Sequence, residues 1–124
     1  MDITLKITKE QIQGKVPVTV FRLRGWLDAQ NEEALLAEAR DAYDEGSRFL
    51  LLDLSEVDTL TSAGMRAIQK VYRVFTPAEE HFKVARVKLC NAPPQVYHVL
   101  GITGFLQNIP NYETAQGAID SFSE

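Results

Sequence analysis

The alternation of apolar and polar residues divides this chain into strands and helices that follow one another in turn. At the N-terminus Ile3, Leu5 and Ile7 alternate with Thr4, Lys6 and Thr8, the period of a half-buried strand. After Gly14, the residues Val16, Val18, Val20 and Arg22 fall on one face and Phe21 and Leu23 on the other, with Gly25 closing the run. Apolar residues on both faces predict a central strand. Pro17 belongs near its start, because a proline inside a sheet removes a ladder hydrogen bond. Over residues 31–45 the period lengthens. Leu35, Leu36, Ala39, Ala42 and Tyr43 make a stripe at helical spacing, while Glu32, Glu33, Glu38 and Asp41 face water. The acidic start suits a helix N-terminus, and Gly46 is a natural stop.

The run Phe49-Leu50-Leu51-Leu52 predicts a strand covered on both faces, ending near Asp53-Leu54 and followed by a loop over residues 55–60. A second helix spans 63–75, with Met65, Ile68, Tyr72 and Phe75 on one side, widened by Val71 and Val74. Thr76-Pro77 ends it, since the residue before proline avoids helical geometry. Residues 82–89 alternate as a further strand, with Val87 and Leu89 on the face opposite Arg86 and Lys88. Residues 94–100 read as a short helix opened by proline, 105–109 as a brief extended piece, and 113–122 as a closing helix with Ala115, Ala118, Ile119 and Phe122 inward. Strand and helix in alternation predict an α/β fold. The expected core is a mixed sheet of four to five strands, parallel except for the opening pair, covered by about four helices. The whole chain, 1–124, is expected to be a single domain.

Composition narrows the function. The formal net charge is -4 and the Lys and Arg residues are scattered singly, which argues against a nucleic-acid partner. No stretch reaches the ~18 apolar residues of a membrane span, so direct membrane insertion is not expected. The N-terminus lacks a basic segment followed by an apolar run, and Cys90 is the only cysteine. Both point to the cytoplasm. Cys90 follows an apolar alternating run and is expected to be a buried structural thiol.

Catalytic arrangements are missing. There is no G-x-x-x-x-G-K-[ST] loop, no G-x-G-x-x-G after a strand and no G-x-S-x-G elbow. His81 and His98 lack partners at zinc-ligand spacing, and His98 is expected to be a partly buried packing residue. Trp26 reads as packing too. Neither an enzyme activity nor a cofactor is expected. A receiver-like phospho-aspartate role for Asp53 would need an acidic pair after the first strand to hold Mg²⁺, and none is there.

One stretch stands apart: Leu52-Asp-Leu-Ser-Glu-Val-Asp-Thr-Leu-Thr-Ser-Ala-Gly-Met65. A buried strand runs out and Thr61-Ser62 opens a helix, where backbone N–H groups lack internal partners. A phosphate on Ser62 would meet free donors and the positive end of the helix dipole. Alternatively, Thr61 or Ser62 simply caps the helix.

The segment 49–68 resembles the signature of the STAS family, the anti-sigma factor antagonists and their relatives. Their pattern is an apolar strand, Asp-Leu, a short loop and Asp-Ser-Ser-Gly opening a helix; here that point reads Thr61-Ser62-Ala63-Gly64. Gly25-Trp-Leu-Asp28-Ala-Gln-Asn-Glu-Glu-Ala-Leu35 is similar to the family's Gly-x-Leu-Asp…Leu element. The tail, Lys88-Leu-Cys-Asn-Ala-Pro-Pro and then Val99-Leu-Gly-Ile-Thr-Gly-Phe105, is similar to its strand, proline-opened helix and turn. The resemblance implies a protein that binds an anti-sigma factor which is also a serine kinase, and that loses this binding when Ser62 is phosphorylated. It further implies a docking patch of Asp28, Thr61, Ala63, Gly64 and Met65. Asp28 has a second reading as a helix cap near Asn31. Thr61 departs from the family pattern, removing a negative charge beside the acceptor hydroxyl. STAS domains that serve as unphosphorylated adaptors in transporters or sensor complexes are the alternative.

Overall fold

The computed structural model describes residues 5–76, 85–102 and 109–123. Five strands form one sheet in the order β1 (Lys6–Gln13), β2 (Pro17–Leu27), β3 (Leu50–Leu60), β4 (Val87–Cys90) and β5 (Asn111–Tyr112). The pair β1–β2 is antiparallel and every other neighbouring pair is parallel. The helices are α1 (Glu32–Asp44), α2 (Ser62–Phe75), α3 (Pro94–Ile102) and α4 (Ala115–Ser121), and a 3-10 turn (Ala29–Asn31) precedes α1. This is the mixed, helix-covered α/β sheet that the periodicity predicts.

The strand alternation sorts the core into two layers. Phe21, Leu23, Leu50, Leu52, Leu54, Val87 and Leu89 face one way, meeting Leu35, Ala39, Ile68, Val71 and Phe75 from α1 and α2 and Val96 and Leu100 from α3. Val18, Val20, Leu51 and Cys90 face the other way and meet Ala118 and Ile119 of α4 and, just after it, Phe122. Lys88 is buried on that second side. Its ammonium donates to the Ser121 carbonyl and hydroxyl at 3.1 and 2.8 Å and lies over the Phe122 ring, tethering α4. Partly exposed ion pairs join Lys9 to Glu38 and Lys70 to Glu32, and solvent screening keeps their contribution small.

Several expectations are corrected. Of the first strand, predicted over residues 3–8, residues 3–4 lie outside the described residues, and β1 (Lys6–Gln13) runs past the predicted end. Gly25 does not end β2, which runs on to Leu27. The predicted loop at 55–60 is strand, because β3 extends to Leu60. Its pairing with β2 shifts register between Arg22 and Arg24 and again between Gly25 and Trp26. At both shifts β3 carries an extra residue, a bulge that bends the strand without ending it. Gly25 supplies the backbone this needs, with φ at 110°. The strand expected over 82–89 is shorter, Val87–Cys90, with 82–84 outside the described residues. The extended piece expected at 105–109 falls mostly outside them too, and β5 forms at 111–112. His98 is exposed on α3, not packed.

Candidate functional site

Asp53 marks where β3 leaves its regular pairing. Its carboxylate is nearly buried and accepts hydrogen bonds from the Ser55 N–H (3.0 Å) and the Asn91 amide (3.4 Å), with the Arg22 guanidinium 3.7 Å away. Asn91 adopts φ 58°, a conformation asparagine tolerates better than most residues. Asp53 therefore ties β3 to the end of β4, and its lone pairs are committed to structure. Cys90, next to Asn91, is buried as expected, and burial pushes its thiol up to about 12.

The bulged strand delivers Thr61 and Ser62 beside the end of β2. The Thr61 N–H donates to the Leu27 carbonyl at 3.2 Å. Thr61 is extended, and its hydroxyl accepts from the Gly64 N–H at 3.2 Å, so Thr61 is the cap of α2. Ser62 is the first helical residue and is exposed. The N–H groups of Ser62 and Ala63 meet no acceptor among the described residues, as first-turn donors commonly do.

Gly64 is buried, and its role is close approach. A Cβ there would lie 2.1 Å from the Leu27 carbonyl oxygen and 2.9 Å from a Leu60 methyl. It presents no side chain to a partner, contrary to its expected place in the docking patch. Met65 is half-buried against the main core. Ala63 is half-buried and lies on the surface side with Ser62.

Asp28 caps the 3-10 turn before α1. Its carboxylate accepts from the Asn31 N–H at 3.3 Å and the Asn31 amide at 3.0 Å. The Asn31 amide also donates to the Trp26 carbonyl at 2.9 Å, and its carbonyl oxygen accepts from the Leu5 N–H at 3.4 Å. Asn31, which sequence reasoning passed over except as a cap position, pins this loop in place.

An open cleft joins the two segments. Trp26, Asp28, Ala29 and Gln30 line one side, and Thr61, Ser62, Ala63 and Arg66 the other. Asp28 and Ser62 thus share one surface. The Trp26 indole N–H donates to the Asp58 carboxylate at 3.2 Å, so the side chain is held at the cleft and not lost in the core. Arg66 was missed as well; its position four residues after Ser62 was the available signal. A second, more enclosed cavity lies where β2 begins, near Lys9, Gln11, Thr19, Ser47 and Arg48. Most of its polar groups are already engaged: Thr19 with Gln11 and Ser47, Lys9 with Glu38, Arg48 with the Tyr43 and Ser47 carbonyls. Among the described residues no group of three His, Cys, Asp or Glu is arranged to hold a metal, and no helix is long and apolar enough to cross a membrane.

A mixed five-stranded sheet thus presents an exposed serine at the start of α2 beside an aspartate-bearing turn. The STAS domain model matches residues 7–118, and the chain belongs to that family. It is 30% identical over 118 residues to BtrV of Bordetella bronchiseptica, a proposed anti-sigma factor antagonist, with 95% of each chain covered. Among solved structures it is similar to an anti-sigma factor antagonist from Mycobacterium paratuberculosis, with a TM-score of 0.74 at 23% identity over 92% of this chain and 90% of that one. It is also similar to the Bacillus antagonist SpoIIAA in its unphosphorylated form, with a TM-score of 0.71 at 22% identity over 93% and 94% of the two chains. SpoIIAA in its phosphorylated form gives a TM-score of 0.65 at 21% identity over 93% and 97%.

Proposed function

We propose that this chain is an anti-sigma factor antagonist, not an enzyme and without a cofactor. In this reading it works in the cytoplasm and docks through the cleft around Ser62 onto a partner that is both anti-sigma factor and serine kinase. Phosphorylation of Ser62 switches the docking off. The observation that carries this reading is the contrast at the start of α2. Thr61 and Gly64 are committed to seating the helix, while the Ser62 hydroxyl stands exposed at the cleft. Its anti-sigma factor antagonist relatives support the partner class, and SpoIIAA has been solved in both the unphosphorylated and the phosphorylated form.

In the transfer, the Ser62 Oγ attacks the γ-phosphorus of ATP held by the partner. The Oγ–P bond forms as the bond to the β,γ-bridging oxygen breaks; ADP leaves, and a base of the kinase takes the hydroxyl proton. The product carries about two negative charges where the partner must dock. Of the expected patch, Asp28, Thr61 and Ala63 border the cleft; Gly64 and Met65 act by holding α2. Thr61, lacking the family's charge, leaves a phosphate at 62 less repelled.

The test pairs the purified protein with candidate kinase anti-sigma partners and ATP and reads intact mass. A gain of one phosphoryl group, abolished in Ser62→Ala, supports the reading. Calorimetry with the same partner should then show Ser62→Ala binding as wild type does and Ser62→Glu at least tenfold weaker. Equal affinity of the two variants would remove Ser62 from the switch. Binding without phosphorylation by any partner would favour an adaptor.

A further inference from the structure

The cleft holds two charged side chains, Asp28 and Arg66. Asp28 is engaged by the Asn31 N–H and amide. Arg66 is exposed and forms no ion pair or hydrogen bond with the described residues. It follows Ser62 by one i,i+4 step on α2, so the two residues stack on one face. Long helical side chains lean toward the helix N-terminus, which carries the Arg66 guanidinium over the turn that begins with Ser62. An anion N-terminal to a cation at this spacing is the favourable order. The guanidinium fork also matches the geometry of phosphate oxygens. Among the described residues no other cation lines the cleft.

We propose that Arg66 is a positioning residue that captures a phosphoryl group on Ser62. The modification then withdraws that cation from the cleft at the same moment as it adds an anion. This deepens the Ser62 reading and rests on it. In the unmodified protein Arg66 is open to a carboxylate of the partner. In the modified protein it is occupied within its own helix. The partner therefore loses an attractive contact and meets a repulsive one in a single step, which separates the two states more sharply than added charge alone.

The experiment installs phosphoserine at position 62 during translation, in the otherwise wild-type chain and in Arg66→Gln and Arg66→Lys. Phosphorus NMR then follows the second ionisation of the phosphate, ordinarily near ~6. In the wild-type chain that pKa is expected to lie roughly 0.15–0.4 units below its value in Arg66→Gln. Arg66→Lys should recover part of the shift, and about 1 M salt should erase most of it. Superimposable titrations of the wild-type and Arg66→Gln proteins, both folded by circular dichroism, would overturn the proposal. The phosphate is placed without a kinase and read without a partner. The capture can therefore fail while the Ser62 switch survives, and the switch can fail in the binding assay while the capture survives.

Discussion

Replacing Gly64 by Ala should loosen the seat on which Ser62 stands. The new Cβ would sit 2.1 Å from the Leu27 carbonyl oxygen and 2.8 Å from its carbon, against ordinary contact from 3.4 Å upward. Both atoms are backbone, so no rotamer change relieves the clash. Either α2 moves off the end of β2 by more than an ångström or Leu27 moves, and either motion stretches the Thr61 N–H bond to the Leu27 carbonyl. Overpacking of this kind costs ~1–3 kcal/mol, and an unyielding neighbour puts it at the upper end. Alanine returns up to ~1 kcal/mol through its better helix propensity. The net loss is about 2 kcal/mol, a fall of roughly 1 M in the urea midpoint at a slope near ~2 kcal/mol/M and of roughly 6–10 °C in Tm. The control is Gly101→Ala in α3, where an added Cβ meets nothing within 4 Å; it should leave stability unchanged or raise it by a few tenths of ~1 kcal/mol. A Gly64→Ala midpoint at or above wild type would refute the close-approach argument.

Two further outcomes follow from single residues. Thr61→Ala removes the acceptor for the Gly64 N–H and should cost ~1 kcal/mol in urea unfolding, whereas Thr61→Asp keeps a cap and should stay within ~0.5 kcal/mol of wild type; equal stability of all three would deny the cap. Cys90, with its thiol raised from 9.0 to about 12, should resist maleimide at pH 8 until the chain unfolds. Its contribution is complete below the unfolded thiol's pKa, and it is lost as pH climbs toward the folded value, because the unfolded chain releases the proton first. The stability advantage of wild type over Cys90→Ala should then shrink by ~1.4 kcal/mol per pH unit above about pH 9; a pH-independent difference would contradict the buried, protonated thiol.

The elements that were legible in the sequence are those whose periodicity is unbroken. Val16, Val18 and Val20 against Phe21 and Leu23 sort correctly to the two sides of the sheet, as do Leu35, Ala39 and Ala42 on α1 and Ile68, Val71 and Phe75 on α2. What was lost was lost to bulges. Past Asp53 the burial of β3 goes Leu54 in, Ser55 and Glu56 out, Val57 in, Asp58 out, and two added residues destroy the alternation by which a strand is read. Polar side chains in a bulged strand look like a loop, and Gly25 looks like a terminator when it is the residue that lets β2 follow the bend. The capping roles of Thr61 and Asp28 were legible because helix-start chemistry is local in sequence. Gly64 was assigned to a docking surface because nothing local reveals that the Leu27 backbone lies against it. Trp26 and Asn31 were undervalued for the same reason: their partners, Asp58 and Leu5, are 32 and 26 residues away.

The bulges also explain how a paired strand can hold Ser62 at the surface. A flexible loop would bring Ser62 to a partner at an entropic cost paid on every encounter. Here β3 remains paired with β2 up to Leu60, Asp53 fixes the point where the bend begins, and the Leu27 carbonyl holds the chain one residue before the serine. The Asn31 side chain holds the opposite wall through Trp26, Asp28 and Leu5. Both walls of the cleft are thus attached to the same strand end, so they keep their separation whatever the Ser62 hydroxyl carries. A surface built this way has little to rearrange. Under the proposed phosphorylation of Ser62, the two states of such a surface would differ through charge at the cleft, where Arg66 stands beside the serine.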